Sequence, residues 1–167
     1  MREHVSVLFV CLGNICRSPT AHGVFEAKVR ALGLDDKIDV DSAGTAAWHI
    51  GSPPDPRSAE EAALRGYALD HLRARQVEPG DFQRFDYVIA MDAENLSELQ
   101  AQAPADFIGH LGLFLDFAPE QPLAEVPDPY YKGHEGFVEV LDLVESASEG
   151  LLERVCRDLN IVYERSS

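Results

Sequence analysis

The apolar run Val5 to Val10 leads without a break into Cys11-Leu12-Gly13-Asn14-Ile15-Cys16-Arg17-Ser18, and this junction constrains the fold more than any other stretch. VSVLFV is β-branched and aromatic and carries no charge, which reads as a buried strand. Ser18-Pro19 reads as a helix start, a capping hydroxyl followed by proline at the first helical position. The loop between them joins the C-terminal end of a strand to a helix N-terminus. Backbone amides lack partners there, and the helix dipole favours negative charge. Five residues curled between Cys11 and Arg17 can turn several amides inward as an anion nest.

The residue types supply a chemistry for that nest. A thiol at a helix N-terminus beside a cation is more acidic than an ordinary one, and the thiolate is the nucleophile. Cys11 is therefore expected to attack as a thiolate. The planar fork of Arg17 can hold two oxygens of a phosphoryl group at once, and Ser18 is placed to hydrogen-bond Cys11. The bland alternative is a core cysteine at a strand end with an unrelated surface arginine. Against it stands the agreement of strand, loop, Arg17, Ser18 and Pro19. A second element is Val126-Pro127-Asp128-Pro129-Tyr130-Tyr131. Prolines on both sides restrict the backbone of Asp128, which suits a presented general acid, although an isolated D-P-Y would be an ordinary turn.

Strand and helix signals alternate along the chain. A first helix is expected over about Ser18 to Leu32, with Ala21, Val24, Phe25 and Leu32 on one face. A strand follows at about Ile38 to Asp41, then a helix capped by Asp55-Pro56 and ending at Gly66. Tyr87 to Met91 reads as a third strand, Asp92 as the cap of the next helix, and Leu111 to Leu115 as a fourth strand. After a long loop, Asp116 to His134, a last helix turns Phe137, Leu141, Val144, Leu151 and Val155 inward. The pattern predicts an α/β fold: a single three-layer domain over residues 1–167, core about 4–160, with a parallel sheet flanked by helices. Ligands of such sheets bind beyond the strand C-termini at a switch point, where Cys11 falls.

Composition narrows the classes. There is no run of ~18 or more apolar residues, so no transmembrane helix is expected, and because Met1 to His4 pass straight into a strand signal no signal peptide is expected either. Three cysteines, two of them in the loop, do not make a disulfide framework, so a reducing cytoplasm is expected. The formal charge of −15, from 14 basic and 29 acidic side chains, argues against nucleic acid and anionic membrane as partners. Attraction to an anionic substrate must then be local to the loop. No HExxH and no CxxC occurs, so no metal and no cofactor is expected.

The loop VCLGNICRSP (Val10 to Pro19) resembles that of the low-molecular-weight protein tyrosine phosphatases, bacterial-type members included. Further matches are DSAGT (Asp41 to Thr45), the segment Trp48 to Arg57, ARQ (Ala74 to Gln76), FDYVIAMDAENL (Phe85 to Leu96) and DPYY (Asp128 to Tyr131). The resemblance implies the strand order 2-1-3-4 and hydrolysis of phosphotyrosine and small aryl phosphates through a phosphocysteine. In that reading Cys11 is the nucleophile and Asp128 the general acid and base. Leu12, Gly13, Asn14, Ile15, Cys16, Arg17 and Ser18 bind the phosphoryl group. Leu12, Trp48, His49, Tyr130 and Tyr131 form the substrate pocket.

By the same resemblance Asn14 (in a left-handed conformation), Ser42 and a histidine support the loop through hydrogen bonds. Counting forward from Gly66 makes that histidine His71; counting back from Ala74 lands on Leu72. Asp92 pairs with this network or is a simple helix cap. Cys16 is a small core residue, a reversible disulfide partner for Cys11, or both. The implied partners are a phosphotyrosine-bearing protein, among bacterial relatives often a tyrosine kinase, with inorganic phosphate as product and a monomer as the working form. Two other readings stay in view. A thioredoxin-coupled arsenate reductase needs two further cysteines in a mobile segment, and residues 70 to 100 contain none. A phosphotyrosine- or anion-binding module needs neither thiolate nor acid.

Overall fold

β1 (Val5–Cys11) is buried along its whole length because it has a strand on each side and helices over both faces. The computed structural model describes residues 2–165. Alternate residues of β1 enter two separate cores. Val5, Val7 and Phe9 face one, where the Phe9 ring lies 5.6 Å from Phe25 and 5.1 Å from Phe114. Leu8 and Val10 face the other, with Val77, Phe82, Val88 and Leu99. Burying a side chain of that size contributes about 1.5–3 kcal/mol, so the two-sided run carries much of the sheet's stability.

In chain order the remaining elements are α1 (Arg17–Ala31), β2 (Ile38–Gly44), α2 (Pro56–Leu64), α3 (Asp81–Arg84), β3 (Tyr87–Ala90), α4 (Ala93–Gln102), β4 (His110–Leu113), a 3-10 turn (Phe114–Phe117) and α5 (His134–Asp158). The four strands are parallel in the order β2-β1-β3-β4, with Cys11 opposite Gly44 and Val10 opposite Ala90. Cys11 is thus the last residue of a central strand, at the point where the chain switches from one side of the sheet to the other. Among the described residues, no helix is long and apolar enough to cross a membrane.

Local readings differ from this in several places. β2 runs on past Asp41 to Gly44, because Ser42, Ala43 and Gly44 pair with Phe9, Val10 and Cys11 of β1. α1 starts at Arg17 with Cys16 as its cap, and Ser18 lies inside the first turn. Proline still fits there, because first-turn amides have no partner within the helix. Leu32 is the C-cap and exposed, since the chain leaves the helix at Gly33 with φ +69°. β4 ends at Leu113, and Phe114 and Leu115 turn into the core on the 3-10 segment. The short helix α3 carries no periodic signal of its own.

Candidate active site

The loop after β1 is held from outside by its carbonyls. Those of Cys11, Leu12 and Ile15 accept from the amides of Thr45 (2.9 Å), Ala46 (2.9 Å) and Asp55 (2.8 Å), and that of Cys16 accepts from Thr20. Among the described residues, the amides of Gly13, Ile15, Cys16 and Arg17 donate to no protein acceptor. Carbonyls taken from outside and amides left over is the arrangement of an anion nest. Gly44 lets β2 approach: a β-carbon there would stand 2.7 Å from the Leu12 carbonyl oxygen.

Inside the loop the polar contacts converge on sulfur. Cys11 Sγ is buried, accepts the Asn14 amide at 3.3 Å and lies 3.0 Å from Ser18 Oγ. Asn14 adopts φ +56°, a left-handed conformation that asparagine tolerates better than most residues. Its Oδ1 accepts from the Arg75 amide (3.0 Å) and its Nδ2 donates to Ser18 Oγ (2.7 Å). The single Ser18 proton can go to the Ala43 carbonyl at 3.3 Å or to sulfur, so Ser18 can stabilise charge on Cys11. Cys16 differs. Burial first, and the charge of Asp55 second, push its thiol up to about 12.

Arg17 is the other fixed point, its side chain only 4% exposed. Nη1 donates to Asp92 at 2.6 Å and to the Val126 carbonyl at 3.0 Å, while Nη2 is 3.8 Å from Asp128. Burial alone would lower its pKa, but Cys11, Asp92 and Asp128 outweigh it and the guanidinium titrates above its ordinary range. Val126 is itself tied to the end of β3, its amide donating to the Met91 carbonyl at 2.8 Å. Through Val126 the arginine brings the segment carrying Asp128 against the loop. Asp128 Oδ1 accepts from the Tyr130 amide at 3.1 Å, which fixes the carboxyl by an Asx turn.

These groups surround one cavity of about 330 Å³, lined by Cys11, Leu12, Gly13, Ile15, Cys16, Arg17, Trp48, His49, Asp128, Tyr130 and Tyr131. All three residues expected to carry the chemistry and all five expected to form the pocket are therefore together. Trp48 (73% exposed) and Tyr131 (95%) stand at its mouth. Tyr130 meets Tyr131 edge-on at 5.0 Å, and Arg57, bound to Asp55 through Nε and Nη2, stacks on both Tyr130 and Phe137. Among the described residues no group of three or more His, Cys, Asp and Glu is arranged to hold a metal ion.

The supporting contacts need correction. His71, expected to support the loop, is exposed and makes no hydrogen bond to it; the donor to Asn14 Oδ1 is the Arg75 amide. The histidine bonded to Ser42 is His22 of α1, Nδ1 to Oγ 3.0 Å, and Ser42 does not hydrogen-bond the loop itself. The only signal for His22 in the sequence was its place four residues, about one helical turn, beyond Ser18. Asp92 fills both of its alternatives, since Oδ2 holds Arg17 while Oδ1 caps α4 in a capping box with Asn95. Arg57, Arg75 and Gly44 lie in motifs visible in the sequence, but no local pattern gave them these contacts.

The sequence model of the family described as low molecular weight phosphotyrosine protein phosphatase matches residues 6–161. The low molecular weight protein-tyrosine-phosphatase YfkJ of Bacillus subtilis is 45% identical over 154 residues, 92% of this chain and 97% of its own, and its crystal structure superposes with a TM-score of 0.88. A protein tyrosine phosphatase from Entamoeba histolytica, solved with Hepes in the active site, gives 0.89 at 40% identity over 92% of this chain and 98% of its own. A Drosophila arginine phosphatase gives 0.83 at 31% identity, covering 89% of this chain and 96% of its own.

Proposed function

This chain belongs to the low molecular weight phosphotyrosine protein phosphatase family and is a protein-tyrosine phosphatase; on that premise we propose that it works through a phosphocysteine on Cys11. The observation that carries the reading is the convergence of Cys11 Sγ, the unpaired loop amides, the Arg17 guanidinium and the Asp128 carboxyl on one cavity. In the first step the sulfur attacks phosphorus and the bond from phosphorus to the phenolic oxygen breaks. The amides and Arg17 hold the equatorial oxygens, and Asp128 gives its proton to the departing phenolate. In the second step water attacks phosphorus, Asp128 takes the water's proton, and Cys11 leaves as a thiolate to which Ser18 donates. Inorganic phosphate departs. Each step uses only side chains, backbone and water, so turnover is expected in the presence of a chelator.

The walls favour a flat aromatic substrate. Leu12, Trp48, Tyr130 and Tyr131 offer apolar and aromatic faces at the cavity edge, where a phenyl ring stacks. Phosphoarginine, suggested by the Drosophila neighbour's name, finds only Asp128 there as an acidic partner. We read residues 1–167 as one catalytic domain that acts on phosphotyrosine proteins in the cytoplasm as a monomer, with Cys11 and Cys16 able to pair on oxidation.

The test is turnover in EDTA of a phosphotyrosine peptide, an aryl phosphate and a phosphoarginine peptide by wild type, Cys11→Ser and Asp128→Ala. Wild type is expected to hydrolyse the first two, and Cys11→Ser none. Asp128→Ala should lose ~10²–10⁴-fold in kcat with KM nearly kept. Full activity of Asp128→Ala would remove that residue from the mechanism, and preference for phosphoarginine would overturn the substrate reading.

A further inference from the structure

Asn14 bridges Ser18 and the Arg75 amide, and Arg75 is gripped from its far end. The Arg75 guanidinium reaches Asp41 of β2 (Nε to Oδ2 3.2 Å, Nη2 to Oδ2 3.0 Å) and forks onto Asp81 of α3 (Nη1 to Oδ2 3.0 Å, Nη2 to Oδ1 3.1 Å). Asp81 is fully buried and also accepts from the Glu78 amide at 2.7 Å and from Arg84 at 2.6 Å. The Arg75 carbonyl accepts the amide of Gly44, the residue opposite Cys11 in the sheet. One residue thus touches both supports of the loop through its backbone, and its side chain is clamped between two carboxylates on different elements.

We propose that Arg75 is a positioning residue for catalysis: its guanidinium, held by Asp41 and Asp81, sets the Arg75 amide that orients Asn14 and, through Asn14 and Ser18, the sulfur of Cys11. The proposal rests on the reading of the loop as the phosphoryl site. The fork fixes the orientation of Arg75 more tightly than a single contact can. The Asn14 side chain needs that accuracy because its two ends serve different partners: a shift at Oδ1 moves Nδ2 away from Ser18. Displacements of this kind, remote from the reacting atoms, cost up to ~10²-fold in rate. The competing role is charge neutralisation alone, Arg75 serving only, beside Arg84, to offset the buried Asp81 carboxylate.

The experiment compares wild type, Arg75→Met, the double variant Arg75→Met/Asp81→Asn, and Arg84→Ala as a control that cuts a different contact of Asp81. Kinetics on an aryl phosphate and competitive inhibition by inorganic phosphate are measured for each, with near-UV circular dichroism to establish folding. Positioning predicts a fall in kcat of roughly 10–100-fold for Arg75→Met, weaker inhibition by phosphate, and the same deficit in the double variant. Arg84→Ala should stay within about twofold of wild type on the same scale. Neutralisation alone predicts that the double variant, which buries no charge at this point, returns to wild-type kinetics, and that result would overturn the proposal. So would wild-type kinetics in Arg75→Met. If Arg75→Met fails to fold, the double variant alone decides between the two roles. Failure of the phosphatase reading is separate: wild type itself would then show neither turnover nor inhibition by phosphate.

Discussion

At Gly44 the fit between loop and sheet is set by the absence of one atom. A β-carbon would stand 2.7 Å from the Leu12 carbonyl oxygen and 3.1 Å from the Gly13 carbonyl carbon, both backbone, so the loop rather than a side chain must yield. Gly44→Ala is expected to stay folded and to lose about ten- to a hundredfold in kcat, measured on an aryl phosphate; unchanged turnover would mean the loop tolerates the shift. His110 raises a different issue. Its ring lies between Tyr87 (5.5 Å) and Phe117 (5.4 Å) with Nε2 buried and unpartnered. Burial first, and Arg154 second, lower its pKa against the opposing pull of Asp116 and Asp158. The unfolded chain then binds the proton more readily, so stability is full above the unfolded value of about 6.5 and declines as pH falls below it. In urea unfolding at several pH values between neutral and mildly acidic, His110→Phe should lose less stability than wild type. Parallel losses would mean that the fold does not resist protonation of this ring.

At the scale of elements, α5 packs closely on the 3-10 turn. A β-carbon on Gly150 would fall 1.8 Å from the Phe117 carbonyl oxygen, so the helix lies directly on that backbone. Gly150→Ala must part the two, at a cost of about 3 kcal/mol and a Tm lower by roughly 6–12 °C; a Tm within a degree of wild type would show that α5 shifts freely. α4 shows how one residue can serve two elements. Asp92 caps the helix with one oxygen and fixes Arg17 with the other, so helix start and loop are set together. α2 is held likewise, its cap Asp55 also binding the Arg57 that stacks under Tyr130. Helix starts were legible in the sequence at both points because capping depends on residues within three positions. The link from Asp55 through Arg57 to Tyr130 was not, and the network contact of Asp92 entered only as one of two alternatives.

Over the whole molecule the net charge of −15 exceeds what pairing can absorb. Arg65 already serves both Asp142 and Glu145, and Arg75 serves Asp41 and Asp81. The excess carboxylates repel one another across the surface, and salt screens that repulsion over about 10 Å at 0.1 M. Raising NaCl from about 20 mM to about 300 mM should therefore raise Tm. A fall would mean that the surface pairs contribute more than the repulsion costs. The fold places its concentrated positive charge locally, in the buried Arg17 and the unpaired amides at the end of β1.

The sequence by itself determined the strand, loop and first helix and the run of α/β elements, because strand burial, helix caps and proline restriction are written in neighbouring residues. That Asp128 joins Cys11 and Arg17 was implied by the family resemblance, and the packed chain brings the three to one cavity. The sequence did not determine the start of α1, the short α3, or the end of β4, where a few residues are drawn into tertiary contacts. Nor did it choose the partners of the loop. His22 meets Ser42 across 20 residues, Arg75 meets Asn14 across 61, Asp92 meets Arg17 across 75, and Val126 meets Arg17 across 109. Counting from a motif placed the supporting histidine at His71, whereas the packed chain turns that residue to solvent and brings an arginine amide to Asn14. Local spacing fixes which face a side chain occupies on its own element. Only the packing of one element on another decides which atom it meets.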